Sequence, residues 1–226
     1  MELNADFTKR VALHADDIEW LASPTPGVSR RMLDRIGDEV ARATTIVRFD
    51  PHSRFPAHVH GGGEEFIVLD GVFQDEHGDF PAGSYIRNPP QSRHTPASEP
   101  GCMILVKLWQ FDPDDRTYTC INVNRIGAVA MAGRPGVSVT PLFKDAREDV
   151  RVERWEPGAT VAVDTDGGAE LFVLEGTFEE SGERFRRHSW LRLPANTRIS
   201  ARSGAQGARV WIKSGHLRFA SAPVSG

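Results

Sequence analysis

The chain is one pattern written twice, and this constrains its fold more than any other feature. Glu65-Phe66-Ile67-Val68-Leu69-Asp70-Gly71-Val72-Phe73 is matched by Glu170-Leu171-Phe172-Val173-Leu174-Glu175-Gly176-Thr177-Phe178. In the same register Tyr85 falls on Trp190, Pro89 on Pro194 and Arg93 on Arg198. Ile104-Leu105-Val106-Lys107 likewise resembles Val210-Trp211-Ile212-Lys213, and Pro26-Gly27-Val28-Ser29 returns as Pro135-Gly136-Val137-Ser138. A chain of 226 residues has room for two small domains or one large one. The repeat decides for two. Residues 1–118 and 119–226 are expected to be copies of one domain, joined near Tyr118 to Val123.

The repeated unit reads as all-β. Short runs (Thr44 to Phe49, Glu65 to Leu69, Val72 to Gln74, Ser84 to Arg87, Met103 to Trp109) are punctuated by Gly, Pro, Asn and Asp, the pattern of a sandwich or barrel. Helical periodicity is scarce. Asp16 to Leu21 reads as one helical turn behind an acidic cap, and Arg30 to Ala43 as extended segments around a Gly37-Asp38 turn. With 26% charged and 39% apolar residues the composition is that of a soluble globular chain. The net charge of -4 is spread without a basic stripe, which argues against direct nucleic-acid binding. Met103 to Val106, the longest apolar run, is too short for a bilayer. Met1 to Phe7 has neither the basic start nor the apolar core of a signal peptide. Cys102 and Cys120 form no Cys-x-x-Cys pair, so two reduced thiols in a cytoplasmic protein are expected.

Chemistry concentrates between Ala57 and Pro96. His58 and His60, two apart on a strand, face the same way. Glu64 follows across Gly61-Gly62-Gly63, and His94 follows the proline-fixed Asn88-Pro89-Pro90 segment. Three imidazoles and a carboxylate are a donor set for one divalent metal. In the repeat register these four fall on Val163, Thr165, Ala169 and Ile199, while Gly71/Gly176 and Pro89/Pro194 are kept. The first copy therefore carries the site and the second reads as structural. Glu65 competes with Glu64, but adjacent strand residues face opposite ways and Glu65 persists as Glu170, which assigns it a structural role. The glycines read as a tight turn that keeps side chains from crowding the metal, since no Lys-Ser or Lys-Thr follows to make a phosphate loop. His14, His52, His77, His188 and His216 are read as ordinary, and Arg184, Arg186, Arg187 and His188 as a solvent-facing hairpin. Phe49, Phe55, Phe66, Phe73 and Trp109 are candidates to line a pocket, although strand aromatics are usually core.

The spacing from His58 through His60, Glu64 and Gly71, then Gly83, Pro89 and His94, closely resembles the two motifs of the cupin superfamily. With the repeat, the chain resembles a bicupin: two tandem double-stranded β-helix, or jelly-roll, barrels. His52 or Ser53 stands where the first motif often has glycine, and Gln91 where the second has a later one. More narrowly, His60 to Phe66 and Gly78 to Pro90 resemble the cupin domain of ChrR-type anti-sigma factors. That resemblance implies zinc on His58, His60, Glu64 and His94. The family's sigma-binding His-x3-Cys-x2-Cys signature is not found in this sequence.

Three functions follow as expectations. A zinc-loaded regulator would have a closed four-ligand site and act on a sigma factor or other regulatory protein on a separate chain. An iron or manganese centre with the same ligands would keep positions open for catalysis, as in cupin dioxygenases of small carbonyl or diketone substrates, and nickel is a further metal the ligand set could take. A ligand-binding role for the metal-free second barrel is the third. Bicupin resemblance further implies a homodimer formed by strand exchange.

Overall fold

The computed structural model describes residues 1–38 and 40–223. Among these there is no α-helix, only two short 3-10 turns at Ala15–Asp17 and His216–Phe219. No helix is long and apolar enough to cross a membrane. The expected turn at Asp16 to Leu21 is displaced: the helical residues are Ala15–Asp17, and Leu21–Ala22 is a strand paired with Arg30 and Ser29. The extended reading of Arg30 to Ala43 is met by the hairpin Val28–Gly37 and Ala41–Phe49.

The chain forms two compact units, each all-β, with a jelly-roll barrel arrangement. The first is built mainly from Met1–Ala5 and Ile18–Arg125, the second from Asp6–Asp17 and Ile126–Ala220. The first unit's antiparallel order is Val28–Gly37, Ala41–Phe49, Cys102–Leu108, Glu64–Asp75, Ser84–Asn88, Thr119–Asn122. The second repeats it as Val137–Lys144, Asp149–Trp155, Ile199–Ser214, Ala169–Glu180, Ser189–Leu193, Val11–His14. The last position breaks the tandem division at residue 118. Thr119–Asn122 pairs with Ser84 to Arg87 of the first unit, and the N-terminal Val11–His14 pairs with Ser189 to Arg192 of the second.

The two runs expected at Glu65 to Leu69 and Val72 to Gln74 need correction: they are one strand, which runs from Glu64 to Asp75 through Asp70-Gly71. Gly71 sits at φ +70, and a Cβ there would lie 2.0 Å from the Gly101 carbonyl oxygen. Only glycine allows this approach, and the result is a bulge that redirects the strand without stopping it. Gly176 does the same in the second unit, 2.1 Å from the Gly207 oxygen.

Alternation along these strands divides their faces. Phe66, Val68, Ile86, Ile104 and Val106 fill the first barrel together with Val28, Phe49 and Phe73. In the second barrel Val163, Ala169 and Ile199 belong to a buried core with Trp155, Phe178 and Leu193. The residues expected in place of metal ligands are there apolar packing.

Candidate metal centre

The four candidate ligands come from three separate strand segments that the barrel brings together. His58 pairs directly across from His94 in the short ladder His58–Val59 with Arg93–His94. The equivalent pair in the second barrel is Val163 with Ile199, which supports the alignment of the two copies. His60 lies just past the ladder, its amide bonded to the Ser92 carbonyl at 2.9 Å. Glu64 opens the long strand and faces inward with Phe66 and Val68 by the period of two.

One donor atom from each of His58, His60, Glu64 and His94 lies within 4.8 Å of the others. His60 Nε2 is 3.2 Å from His58 Nε2 and 3.4 Å from Glu64 Oε2; His94 Nε2 is also 3.4 Å from Glu64 Oε2. Ligands about 2.0–2.1 Å from a tetrahedral metal would be about 3.4 Å apart, so the spacing fits a first-row cation. His60, Glu64 and His94 are buried, and His58 is half-buried.

The outer ring nitrogens are held. His58 Nδ1 donates to the Pro56 carbonyl and His94 Nδ1 to Asp75 Oδ2, each at 3.0 Å, and His60 Nδ1 pairs with Ser92 Oγ at 3.0 Å. A carbonyl and a carboxylate can only accept, so His58 and His94 carry their proton on Nδ1 and turn an Nε2 lone pair inward. His94 Nε2 is buried and has no hydrogen-bond partner. Inward lone pairs facing a carboxylate repel, and a proton or a divalent cation shared among them would resolve this. Asn88 Nδ2 steadies Glu64 Oε2 at 3.1 Å.

Electrostatics separate the imidazoles. Burial, together with the neighbouring His94 and His58, holds His60 below its ordinary range despite Glu64. Burial also lowers His94, but the Asp75 hydrogen bond and the charges of Glu64 and Asp75 outweigh it and raise the group. Asp75 is held low, because its bonds to His94 and to the His77 amide exceed the opposing effect of burial.

The centre opens into a cavity of about 290 Å³, whose wall includes His58, His60 and Glu64. Phe49, Phe55, Phe73 and Trp109 line it; Phe66 instead belongs only to the core. The glycines serve a purpose other than sparing the metal. A Cβ on Gly62 would sit 2.3 Å from the Trp109 ring, and one on Gly63 2.5 Å from Phe111, so the glycines admit these two rings.

Elsewhere, Glu65 is buried and accepts from the Tyr85 hydroxyl, and Glu170 accepts from Trp190 Nε1 at 3.0 Å. His52 pairs with Glu99 and His14 with Ser189. His216 is buried against Glu170 at 2.8 Å. His188 is not solvent-facing as read from sequence; it is buried and stacked on Phe172, while Arg184, Arg186 and Arg187 are exposed. Arg93 and Arg198 are both exposed. Sequence reasoning missed Asp75, Ser92 and the bond from Asn88 to Glu64. Asn88 had a signal, because Leu193 takes its place beside Ala169. Asp75 had none, since its counterpart Glu180 is also acidic.

Comparison with known proteins bears on the fold. The model of the ChrR Cupin-like domain matches residues 8–112. Just under half of the chain thus resembles a cupin domain. No curated protein sequence matches this chain. Among solved structures it is similar to a candidate dioxygenase from Nostoc punctiforme, at TM-score 0.75 and 15% identity over 97% of this chain and 87% of that one. A cupin 2 conserved barrel domain protein from Leptotrichia buccalis aligns at TM-score 0.60 and 9% identity, covering 91% and 96%. The bacterial pirin YhhW of Escherichia coli, solved with nickel(II), aligns at 0.64 and 13%, covering 92% and 99%. At these identities the likeness concerns the fold.

Proposed function

We propose that the first barrel is a mononuclear divalent-metal centre held by His58, His60, Glu64 and His94, acting on a small organic molecule admitted through the adjoining cavity. The observation that carries this reading is that three of the four convergent donor residues, His58, His60 and Glu64, lie in the cavity wall and are not sealed from it. A bound metal would supply Lewis acidity toward an oxygen-bearing group. Asp75 and the Pro56 carbonyl would fix two imidazoles, Asn88 would orient the carboxylate, and Phe49 and Phe73 would keep water from the reacting end. A small carbonyl or diketone compound is the proposed substrate class, with iron, manganese or nickel as the metal; the dioxygenase-like and nickel-bound neighbours support it.

The second reading is regulatory: a zinc-loaded barrel whose occupancy is read by a sigma factor or other regulatory protein on a separate chain. The match to the ChrR Cupin-like domain favours it. Metal content of the purified protein, measured by mass spectrometry beside His94→Ala and Ile199→Ala, tests both. One metal per chain is expected in the wild type and Ile199→Ala, and a sharp loss in His94→Ala. Iron, manganese or nickel with diketone turnover supports the enzyme. Zinc with capture of a purified sigma factor supports the regulator. No metal after reconstitution overturns the centre.

A further inference from the structure

The cavity holds two cations that the metal reading does not use. Arg30 and Arg35 both line it. Residues five apart on a regular strand face opposite ways. Here a bulge between Met32 and Asp34 in the ladder with Ala41–Phe49 resets the alternation, so both arginines face inward. Burial and the neighbouring charge of Arg30 push the Arg35 guanidinium below its ordinary value. Arg35 is partly engaged, with Nε donating to the Gly37 carbonyl at 3.1 Å. The Nε of Arg30 is buried and has no hydrogen-bond partner.

Among the described residues Glu64 is the only acidic side chain lining the cavity, and the metal reading already uses it. Two like charges gathered in a half-dry cavity cost stability, which Asp38 beside Arg35 offsets only in part. The second barrel avoids that cost. Val28 opposite Phe49 corresponds to Val137 opposite Trp155, which places Val139 at the Arg30 position. Val139 packs against the apolar core there. The arginine is thus lost together with the four candidate ligands, which ties it to whatever the first cavity holds.

We propose that the cavity takes a small organic carboxylate: the carboxylate on Arg30 with Arg35 beside it, and an apolar body along Phe49, Phe55 and Phe73. That the far end meets the histidine cluster rests on the metal-centre reading; the arginine anchor does not. A cavity of about 290 Å³ lies at the small end of ligand pockets, roughly 300–1,000 Å³, which suits a compact molecule.

The test is calorimetric titration with 3-phenylpropionate and its uncharged amide, on metal-loaded and chelator-stripped protein. The wild type is expected to prefer the acid by about 10- to 100-fold, the scale of a hydrogen bond to a charged group. Arg30→Gln should abolish the preference, Arg30→Lys should keep part of it, and Arg35→Gln should reduce it. No binding of the acid, equal binding of acid and amide, or an unchanged preference in Arg30→Gln overturns the proposal. A preference that disappears on chelation overturns it too, because the anion would then be sitting on the metal. Protein that never holds metal yet keeps an Arg30-dependent preference would remove the metal reading and leave this one standing.

Discussion

Asp75 offers the sharpest probe of the centre. Its carboxylate is 6% exposed, 3.0 Å from His94 Nδ1 through Oδ2 and 2.7 Å from the His77 amide through Oδ1. It stays ionised at neutral pH because these bonds hold its pKa low against burial. The contact fixes the tautomer that turns His94 Nε2 toward the other donors, and it makes that nitrogen more basic. Loss of such an outer partner weakens metal binding about 10- to 100-fold, about 1.4–2.7 kcal/mol. Asp75→Ala should show this in competition with a chromophoric chelator at pH 7.5. Asp75→Asn keeps a neutral acceptor for Nδ1–H and should fall between wild type and alanine. The sign with pH follows from the raised pKa of His94. In the wild type a proton competes with the metal for His94 up to a higher pH than in either variant, so the deficit should shrink as pH falls toward 6. Wild-type affinity in Asp75→Ala, or an asparagine variant weaker than the alanine one, would refute the assignment of His94 Nε2 as a ligand.

Two further predictions concern the scaffold. Glu153 is fully buried and takes both Arg134 guanidinium nitrogens at 2.7 Å, Arg151 Nε at 2.8 Å and Trp155 Nε1 at 2.7 Å. Burial raises its pKa, but the two arginines outweigh this and hold it low, so its stabilisation is present above the unfolded value near 4.5 and lost as pH falls through the lower folded value. Glu153→Ala should cost about 3–5 kcal/mol at pH 7 and flatten the acid limb of urea-unfolding stability below about pH 4.5; parallel acid limbs would contradict the assignment. Gly62→Ala, whose Cβ would press on Trp109, should destabilise by about 1–3 kcal/mol, and Trp109→Ala should relieve it. A strictly additive double-mutant cycle would show that the ring does not lie against the loop.

What was legible in the sequence was local or duplicated. His58, His60 and Glu64 lie within seven positions, and the repeat supplied a copy in which all four candidate ligands had changed. The face of Glu65 followed from alternation and from its persistence as Glu170. What was not legible depended on long-range pairing or on a single bulge. Val11–His14 lies far in sequence from Ser189–Leu193, and nothing in its composition announces that partner. The bulge between Met32 and Asp34 reverses the face of Arg35, so alternation counted along the chain points that residue the wrong way. The purpose of the three glycines lay in Trp109 and Phe111, more than forty residues away in sequence.

The faces of the two barrels have diverged unequally, and this locates the function. On the face opposite Glu64, Arg87 and Lys107 flank Glu65 across the ladders, and Arg192 and Lys213 flank Glu170 in the same way. All six are buried, at 1% exposure or less. Removing one partner from a buried charged set is strongly destabilising, so changes there are constrained in either copy whatever the copy does. The candidate-site positions on the inward face are not shared in this way. The positions of His58, His60, Glu64, His94, Asn88 and Arg30 became Val163, Thr165, Ala169, Ile199, Leu193 and Val139, nearly all of them apolar. At these positions the second barrel has filled with apolar side chains, while its inward buried charges gather instead around Glu153. The first barrel keeps instead an open cavity, a buried nitrogen without a partner on His94 and another on Arg30. Such groups lower stability in the empty protein, and their joint loss from the copy is what is expected of residues kept for what they bind.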